Sequence, residues 1–342
     1  MSAADRTPTT RHTGTIDRLA RSKLRGAQWL LTHLHAQGRV ATVDEGFRFY
    51  RLPWSLTISG HTEAATAVCA WIREHMFTHE GDFDGGYRQL RDAYAYRNAT
   101  LIYGAHMARQ YDLSSRGLRF VLQMQDDLSG GFANDRNVDG TLSDVMDVPY
   151  TCGCGLACIA VGQLDPARAV YKFLQKVWSE QDELPDRLYY SFSRDQQAVI
   201  TTYNNKNAFW HVVESQQGQP QRWTVGGIAA AFLCRLYMVN SNPAYLSLAR
   251  NYQQFSIDST PQQFEFPQVC KSGWGAGLLY QLTGEPVYSQ WATKVGDWFI
   301  NTQAPDGSWV FDPNATEGQI LELTAEFVAH IDSIIGCLAS RP

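Results

Sequence analysis

The chain lacks the roughly 20 consecutive apolar residues that a membrane-spanning helix needs, although it has 342 residues in which to place them. It also lacks a run of like charge. Its 29 basic residues are scattered among 34 acidic ones, for a formal net charge of -5. The basic patch of a nucleic-acid binder is therefore missing. Residues 1–15 are polar and hold no apolar stretch of the kind a secretory leader carries, so no leader is expected. Seven cysteines make an odd number, and Cys69, Cys158, Cys234 and Cys337 fall inside apolar helical stretches. The expectation is reduced thiols packed as small hydrophobes in a cytoplasmic protein, not a disulfide framework.

What is present is enough apolar material for a large core, at 44% of residues. There is also an aromatic surplus of 10 Trp, 16 Tyr and 16 Phe. Much of it is core, but such a surplus also suits a cavity for an apolar, sugar-like or cationic ligand.

A repeating pattern runs along the chain. A helix with one charged face ends in a Gly/Asp-rich loop with an aromatic, and a more apolar helix follows. Three loops carry the pattern: Gly81-Asp82-Phe83-Asp84-Gly85-Gly86-Tyr87, Gln125 through Phe132, and Gln303 through Trp309. Glycine allows the backbone angles that stop the preceding helix, and the aromatic is expected to fill the gap between hairpins. The helices after the loops read NATLIYGAHMARQY, TCGCGLACIAVGQL, TVGGIAAAFLCRLYMV, SGWGAGLLYQL and LTAEFVAHIDSIIGCL. Helices apolar almost all round are inner helices. The stretch from Gly227 to Tyr245 aligns with that from Ser272 to Tyr288, with Pro243 and Pro286 in register. A sixth inner helix comes from SGHTEAATAVCAW or the segment just upstream. The fold expected is all-α, an (α/α)6 toroid over residues 16–342, with residues 1–15 a flexible tail.

Gln303-Ala304-Pro305-Asp306-Gly307-Ser308-Trp309 resembles the QW motif of the terpenoid cyclase and protein prenyltransferase toroid superfamily. Gln125 through Phe132 resembles a degenerate copy. The resemblance implies the toroid. The chemistry is not carried over. A class II cyclase of that superfamily has a DxDD motif, and this chain has Asp144-Val145-Met146-Asp147. Such cyclases use two helical domains, and this chain has length for one. The Asp, Cys and His that hold zinc in prenyltransferase β subunits have no clear counterpart.

In such a ring the first turns of the inner helices surround one mouth, where several helix N-termini favour negative charge. Candidate acid/base residues there are Asp147 and Asp144, since a carboxyl facing an apolar cavity has its pKa raised. Asp147 also reads as the N-cap of a helix starting near Pro149. Tyr150 is a further proton carrier, and His211 is one that Glu214 would orient. Cys152 near a helix N-terminus reads as a nucleophilic or acidic thiol. The spacing of Cys152, Cys154 and Cys158 does not match zinc sites. Candidate binding residues are Trp54, Tyr96, Arg97, Asn98, Trp210, Trp223, Glu265, Gln268 and Trp274. Arg222, Lys271, Glu322 and Glu326 share the same rim.

The function expected is a cofactor-independent cyclase, isomerase or lyase, with no metal, acting on a terpenoid or polyketide-like substrate. The alternative is a carbohydrate-active enzyme using a carboxylate pair such as Asp147 with Glu265 or Glu322. The partners expected are a small-molecule substrate, no nucleic acid, and either no second copy or one.

Overall fold

Helices that are apolar on every side and helices that are apolar on one side alternate along the chain, and that difference sorts them into two layers. The computed structural model describes residues 12–83, 93–137 and 139–341. Within them the outer layer is α1 (Thr13–Leu31), α3 (Thr62–His75), α5 (Tyr111–Val121), α7 (Leu164–Ser179), α9 (Pro243–Asp258) and α11 (Pro286–Thr302). The inner layer is α2 (Leu52–Ile58), α4 (Tyr94–Met107), α6 (Val148–Val161), α8 (Thr224–Asn240), α10 (Cys270–Thr283) and α12 (Glu317–Ala339). Each inner helix packs on the next, and α12 packs back on α2. That contact closes the six hairpins into the expected toroid.

The loops show the same closure at atomic detail. Gly81, Gly130 and Gly307 all have positive φ, at 99°, 83° and 102°. A Cβ on Gly81 would meet the carbonyl of Arg116 on α5, and one on Gly130 that of Ala169 on α7. One on Gly307 would meet that of Arg25 on α1. Each loop therefore lies directly on the backbone of the next outer helix, and the last one lies on the first. Gln125 Nε2 donates to the carbonyls of Gly130 and Pro166, and Gln303 Nε2 to those of Gly307 and Ser22. The two glutamines do one job in two repeats. Phe83, Phe132 and Trp309 are fully buried, as their place in the loops predicts.

Small residues let the inner helices touch backbone to backbone. A Cβ on Gly227 of α8 would stand 2.4 Å from the Lys271 carbonyl of α10, and one on Gly104 of α4 would stand 2.6 Å from the Trp54 nitrogen of α2. Pro243 and Pro286 open α9 and α11 at equivalent positions. The first inner helix is the upstream choice, Leu52–Ile58, and most of SGHTEAATAVCAW belongs to outer helix α3.

Two features differ from the sequence reading. The first helix begins at Thr13, inside the segment taken as tail; residues 1–11 lie outside the described ones, as do residues 84–87 of the first loop. Short strands also decorate the approach to α6 and the long connection from α7 to α8. These are β1 (Val145–Asp147), β2 (Arg187–Tyr189), β3 (Ser191–Ser193), β4 (Ala198–Val199) and β5 (Val212–Glu214). They pair antiparallel as β1-β3-β4 and β2-β5, with Asp147 opposite Ser191. All seven cysteines are free and buried. Among the described residues no helix is long and apolar enough to cross a membrane.

Candidate functional site

Hairpin after hairpin, the chain returns so that the inner helices run parallel and their first turns meet at one mouth. Most give a polar residue there and an apolar one about a turn deeper. Arg51 precedes Trp54 on α2, Tyr96 precedes Thr100 and Tyr103 on α4, and Tyr150 precedes Gly153 and Leu156 on α6. On α10 Lys271 precedes Trp274, and on α12 Glu322 and Glu326 precede His330. The interior is thus an ionic layer above an aromatic floor.

The ionic layer is tightly paired. Arg48 Nη1 reaches Glu322 Oε2 at 2.9 Å, and the Tyr50 hydroxyl donates to Glu322 Oε1 at 2.8 Å. Arg51 bridges the two glutamates, with Nη1 3.2 Å from Glu322 and Nη2 3.1 Å from Glu326. Lys271 pairs with Glu326 Oε1, and Arg97 Nη2 stands 4.0 Å from Glu322. Burial pushes both carboxyls up, but the cations outweigh it. Arg97, Arg51 and Arg48 hold Glu322 below the usual range, and Arg51 and Lys271 hold Glu326 well below it. Both are ionised at neutral pH.

A second cluster sits across the mouth. Asp147 caps α6 by accepting the Tyr150 N–H at 2.7 Å, and its other oxygen accepts the Asn134 amide at 3.0 Å. Arg222 Nη1 lies 3.6 Å from that carboxyl, and Nη2 donates to the Tyr150 hydroxyl oxygen at 2.6 Å. Burial wins at Asp147: its pKa is raised, although Arg222 and the two donors pull it down. The clusters join at Tyr96. Its ring is 5.6 Å from that of Tyr150, and its hydroxyl oxygen accepts from Arg51 at 3.3 Å. Tyr96 occupies space that Gly153 leaves, since a Cβ there would stand 2.5 Å from the ring.

Below, Trp54, Tyr96, Tyr103, Leu156, Ile228 and Trp274 line an axial cavity of about 20 Å³, enough for one water. A more open groove of about 280 Å³ leads to the ionic layer from the side, between Pro267, Phe311, Ile320 and Leu323, and it ends on Glu322 and Glu326.

The structure thus brings together Asp147, Tyr150, Tyr96, Arg97, Trp54 and Trp274 from the sequence candidates. Asn98 is buried on α4, its amide donating to the Tyr94 carbonyl. Trp210 is exposed with the Arg222 guanidinium 4.4 Å from its ring, and Trp223 is buried at the start of α8. Gln268 is half-buried and Glu265 is exposed, both on the approach to α10. Asp144 lies apart: its carboxylate accepts from Ser193 and from the Asp195 N–H, holding a turn. Two premises are corrected. Glu214 does not orient His211; it pairs with Arg187, while Ser191 Oγ stands 2.6 Å from His211 Nδ1. The Cys152 thiol is not activated by its helix N-terminus, because complete burial pushes its pKa well up.

Arg48, Tyr50, Arg51 and His330 were not singled out from the sequence. For His330 a signal existed: Glu322, Glu326 and His330 recur every four residues, one face of one helix. Among the described residues Cys270, Glu326 and His330 hold donor atoms within 4.8 Å of one another, the geometry of a metal site. The Lys271 ammonium already neutralises Glu326 there, and burial pushes the Cys270 thiol up to about 12. The donor set fits an ion pair better than a divalent cation.

No protein-family model matches the sequence, and no curated protein matches it. Solved structures match it by shape. A variant of the type II terpene cyclase MstE from Scytonema, bound to geranylgeranyl dihydroxybenzoate, superposes with a TM-score of 0.61 at 12% identity, over 95% of this chain and 99% of that one. A family 76 glycoside hydrolase from a bovine Bacteroides thetaiotaomicron strain gives 0.59 at 14% identity, over 92% and 77%. A D-mannose isomerase gives 0.59 at 15% identity, over 93% and 87%. These likenesses establish the toroid fold and its kinship in shape with terpene cyclases and sugar-active enzymes. MstE is matched over 99% of its length, so that cyclase is itself a single ring of this size.

Proposed function

We propose that this chain is an acid–base enzyme, a cyclase, isomerase or lyase working without a cofactor. Its substrate would be a small molecule with an apolar body and a carbonyl or enol oxygen. One observation carries the reading. Two phenols, Tyr150 and Tyr96, stand side by side at the mouth, each with its oxygen held by a guanidinium that a buried carboxylate anchors. Donors braced in this way favour negative charge developing on a substrate oxygen, and in many such reactions that stabilisation supplies most of the rate enhancement. The aromatic floor and the apolar groove suit the rest of the molecule. At about 280 Å³ the groove falls just below the ~300–1,000 Å³ common for small-molecule pockets, so the body is small. The ligand of MstE, an apolar chain on an oxygenated ring, is of the same general character.

The test is incubation with a panel of small apolar ketones, enones and polyketones in D2O, read by mass spectrometry. Deuterium uptake or a rearranged product is expected, with Tyr150→Phe slowing it about 10²-fold or more. Turnover that Tyr150→Phe leaves untouched would sink the reading.

A carbohydrate substrate is the second reading, and one observation favours it. Asp147 is pushed up and Glu322 down, as an acid and a base would be. Glycosides and free sugars belong in the same panel, and conversion of those alone would replace the first reading with this one.

A further inference from the structure

We infer that His330 is the proton acceptor of this site, with Glu326 fixing which ring nitrogen receives the proton. The inference rests on the acid–base reading above and adds the base that it lacks.

His330 is one turn below Glu326 on α12 and is 1% exposed. Its Nε2 faces the Glu326 carboxylate at 3.5 Å. An ionised carboxylate favours a proton on the nitrogen that faces it, which leaves the lone pair on Nδ1. Nδ1 has no hydrogen-bond partner among the described residues. The imidazole lies 5.2 Å from the Trp274 ring and 5.9 Å from the Trp54 ring. Both tryptophans line the axial cavity, and the Trp274 indole N–H is also without a partner among the described residues. A buried acceptor and a buried donor left unmet beside one cavity are uncommon, because such groups are costly to bury unpaired. A chain of contacts links this nitrogen to the phenols: His330 to Glu326, Glu326 to Arg51, Arg51 to the Tyr96 hydroxyl, and Tyr96 to the Tyr150 ring.

Burial drives the imidazole pKa down to about 4, with Lys271 and Arg51 pushing the same way and Glu326 opposing. The ring is therefore neutral and able to accept at physiological pH. A carboxylate general base with a pKa near 4.6 suffices for proton removal beside a carbonyl when a tyrosine stabilises the oxygen, so an imidazole near 4 is in the workable range. The proton count closes. Trp54 and Trp274 stand between His330 and the axial cavity, which as it stands holds one water, so the step requires them to part as the substrate enters. A C–H bond next to the carbonyl then breaks, its electron pair becomes the C=C bond of the enol, and the proton goes to Nδ1. The carbonyl oxygen takes a proton from the Tyr150 hydroxyl, and Arg222 faces the resulting phenolate. When the substrate is a β,γ-unsaturated ketone the enol is a dienol, and return of the imidazolium proton to its far carbon, and of the enol proton to Tyr150, gives the conjugated isomer and the starting enzyme. No electron changes hands with the protein.

Two measurements test this. The first needs no substrate: ¹⁵N NMR of the histidine-labelled protein at pH 7. A bare Nδ1 and a protonated Nε2 at His330 are expected, assigned by loss of the signal in His330→Gln. A proton on Nδ1 would overturn the inference. So would stoichiometric zinc binding abolished by both Cys270→Ser and His330→Gln, since the ring would then be a ligand. The second uses any compound that exchanges deuterium in the panel. His330→Gln is expected to lower kcat about 10²–10⁴-fold with little change in KM. If Tyr150→Phe abolishes exchange and a folded His330→Gln does not, the inference fails and the acid–base reading stands. If neither variant matters, the reading itself has failed.

Discussion

Burying the ionised carboxylates of Glu322 and Glu326 is costly, and the cost is offset only because each is held by two or more cations. Removing one cation therefore does more harm than the pair does good. Lys271→Met leaves Glu326 with Arg51 as its close cation, and a loss of about 3–5 kcal/mol is expected in urea unfolding at pH 7. The sign of the pH dependence follows. Glu326 has a folded pKa well below its unfolded value, so its contribution is complete above about pH 4.5 and is lost as pH falls through the folded pKa. In Lys271→Met that depression is relieved, so the penalty should shrink towards pH 4. His330 adds a separate window. Its pKa is about 4 in the folded protein, against roughly 6.5 unfolded, so the unfolded chain binds its proton first. That contribution is intact above pH 6.5 and erodes as pH falls towards 4, by an amount on the order of 3 kcal/mol. Replacing the histidine with glutamine should flatten the stability curve between those limits; a slope unchanged from the parent would contradict the burial of a neutral ring. At this scale the sequence disclosed the cap at Asp147, because Asp before Val148-Pro149 is a local signal. It hid Arg51, which stands just before a helix of only seven residues, too short to show a period.

Helices are where the sequence spoke most clearly. The five long inner helices were legible because their composition differs so strongly from the outer ones, and Pro243 with Pro286 marked equivalent starts. The strands were not legible. They have two or three residues each, too few for alternation to register, and they are held by pairing across the chain between residues such as Asp147 and Ser191. His211 was misjudged for the same reason, since its partner Ser191 lies twenty residues away on such a strand. Helix contact also explains the small-residue stripes. On α8 and α10 the backbones meet at Gly227 and Gly275: the Gly227 carbonyl would lie 2.6 Å from a Cβ on Gly275. The atom facing Gly227 is likewise a carbonyl on a packed helix, not a side chain that can turn away. Gly227→Ala should therefore cost at least the ~1–3 kcal/mol typical of overpacking, despite alanine's better helix propensity. Gly162→Ala is no substitute control, because its φ of 85° brings strain of its own. Gly336→Ala has open space around it and should be neutral or slightly stabilising by propensity. Thermal unfolding of the two alanine variants side by side separates contact from propensity; equal midpoints would deny the close approach.

Closure of the ring distinguishes this molecule from an open stack of the same hairpins. In an open solenoid each repeat touches only its neighbours, so terminal hairpins can unfold alone. Here the first helix lies between the last two. Arg18 pairs with Asp297 on α11, and Lys23 with Asp332 on α12. Gln303 holds the Ser22 hydroxyl and carbonyl. The Trp309 ring fits against Gly26 of α1, where a Cβ would stand 2.8 Å away, while its indole N–H donates to Phe299 at 2.9 Å. Trp309 is thus the seam between the chain's beginning and its end. The sequence could single out this glycine–aromatic loop, but not that its partner is residues 22–26, nearly three hundred positions earlier. Trp309→Ala removes a fully buried indole, for which about 3–5 kcal/mol is expected. The shape of the transition is the sharper readout. If the seam joins one cooperative body, the variant should melt in a single step at a lower temperature, with the Tyr and Trp environment of the whole ring lost together. If instead a first, small transition confined to the terminal hairpins precedes an unshifted main one, the hairpins are stacked and not closed. The shared mouth that Arg51, at the start of α2, and Glu326 on α12 jointly form would then not survive as a single site.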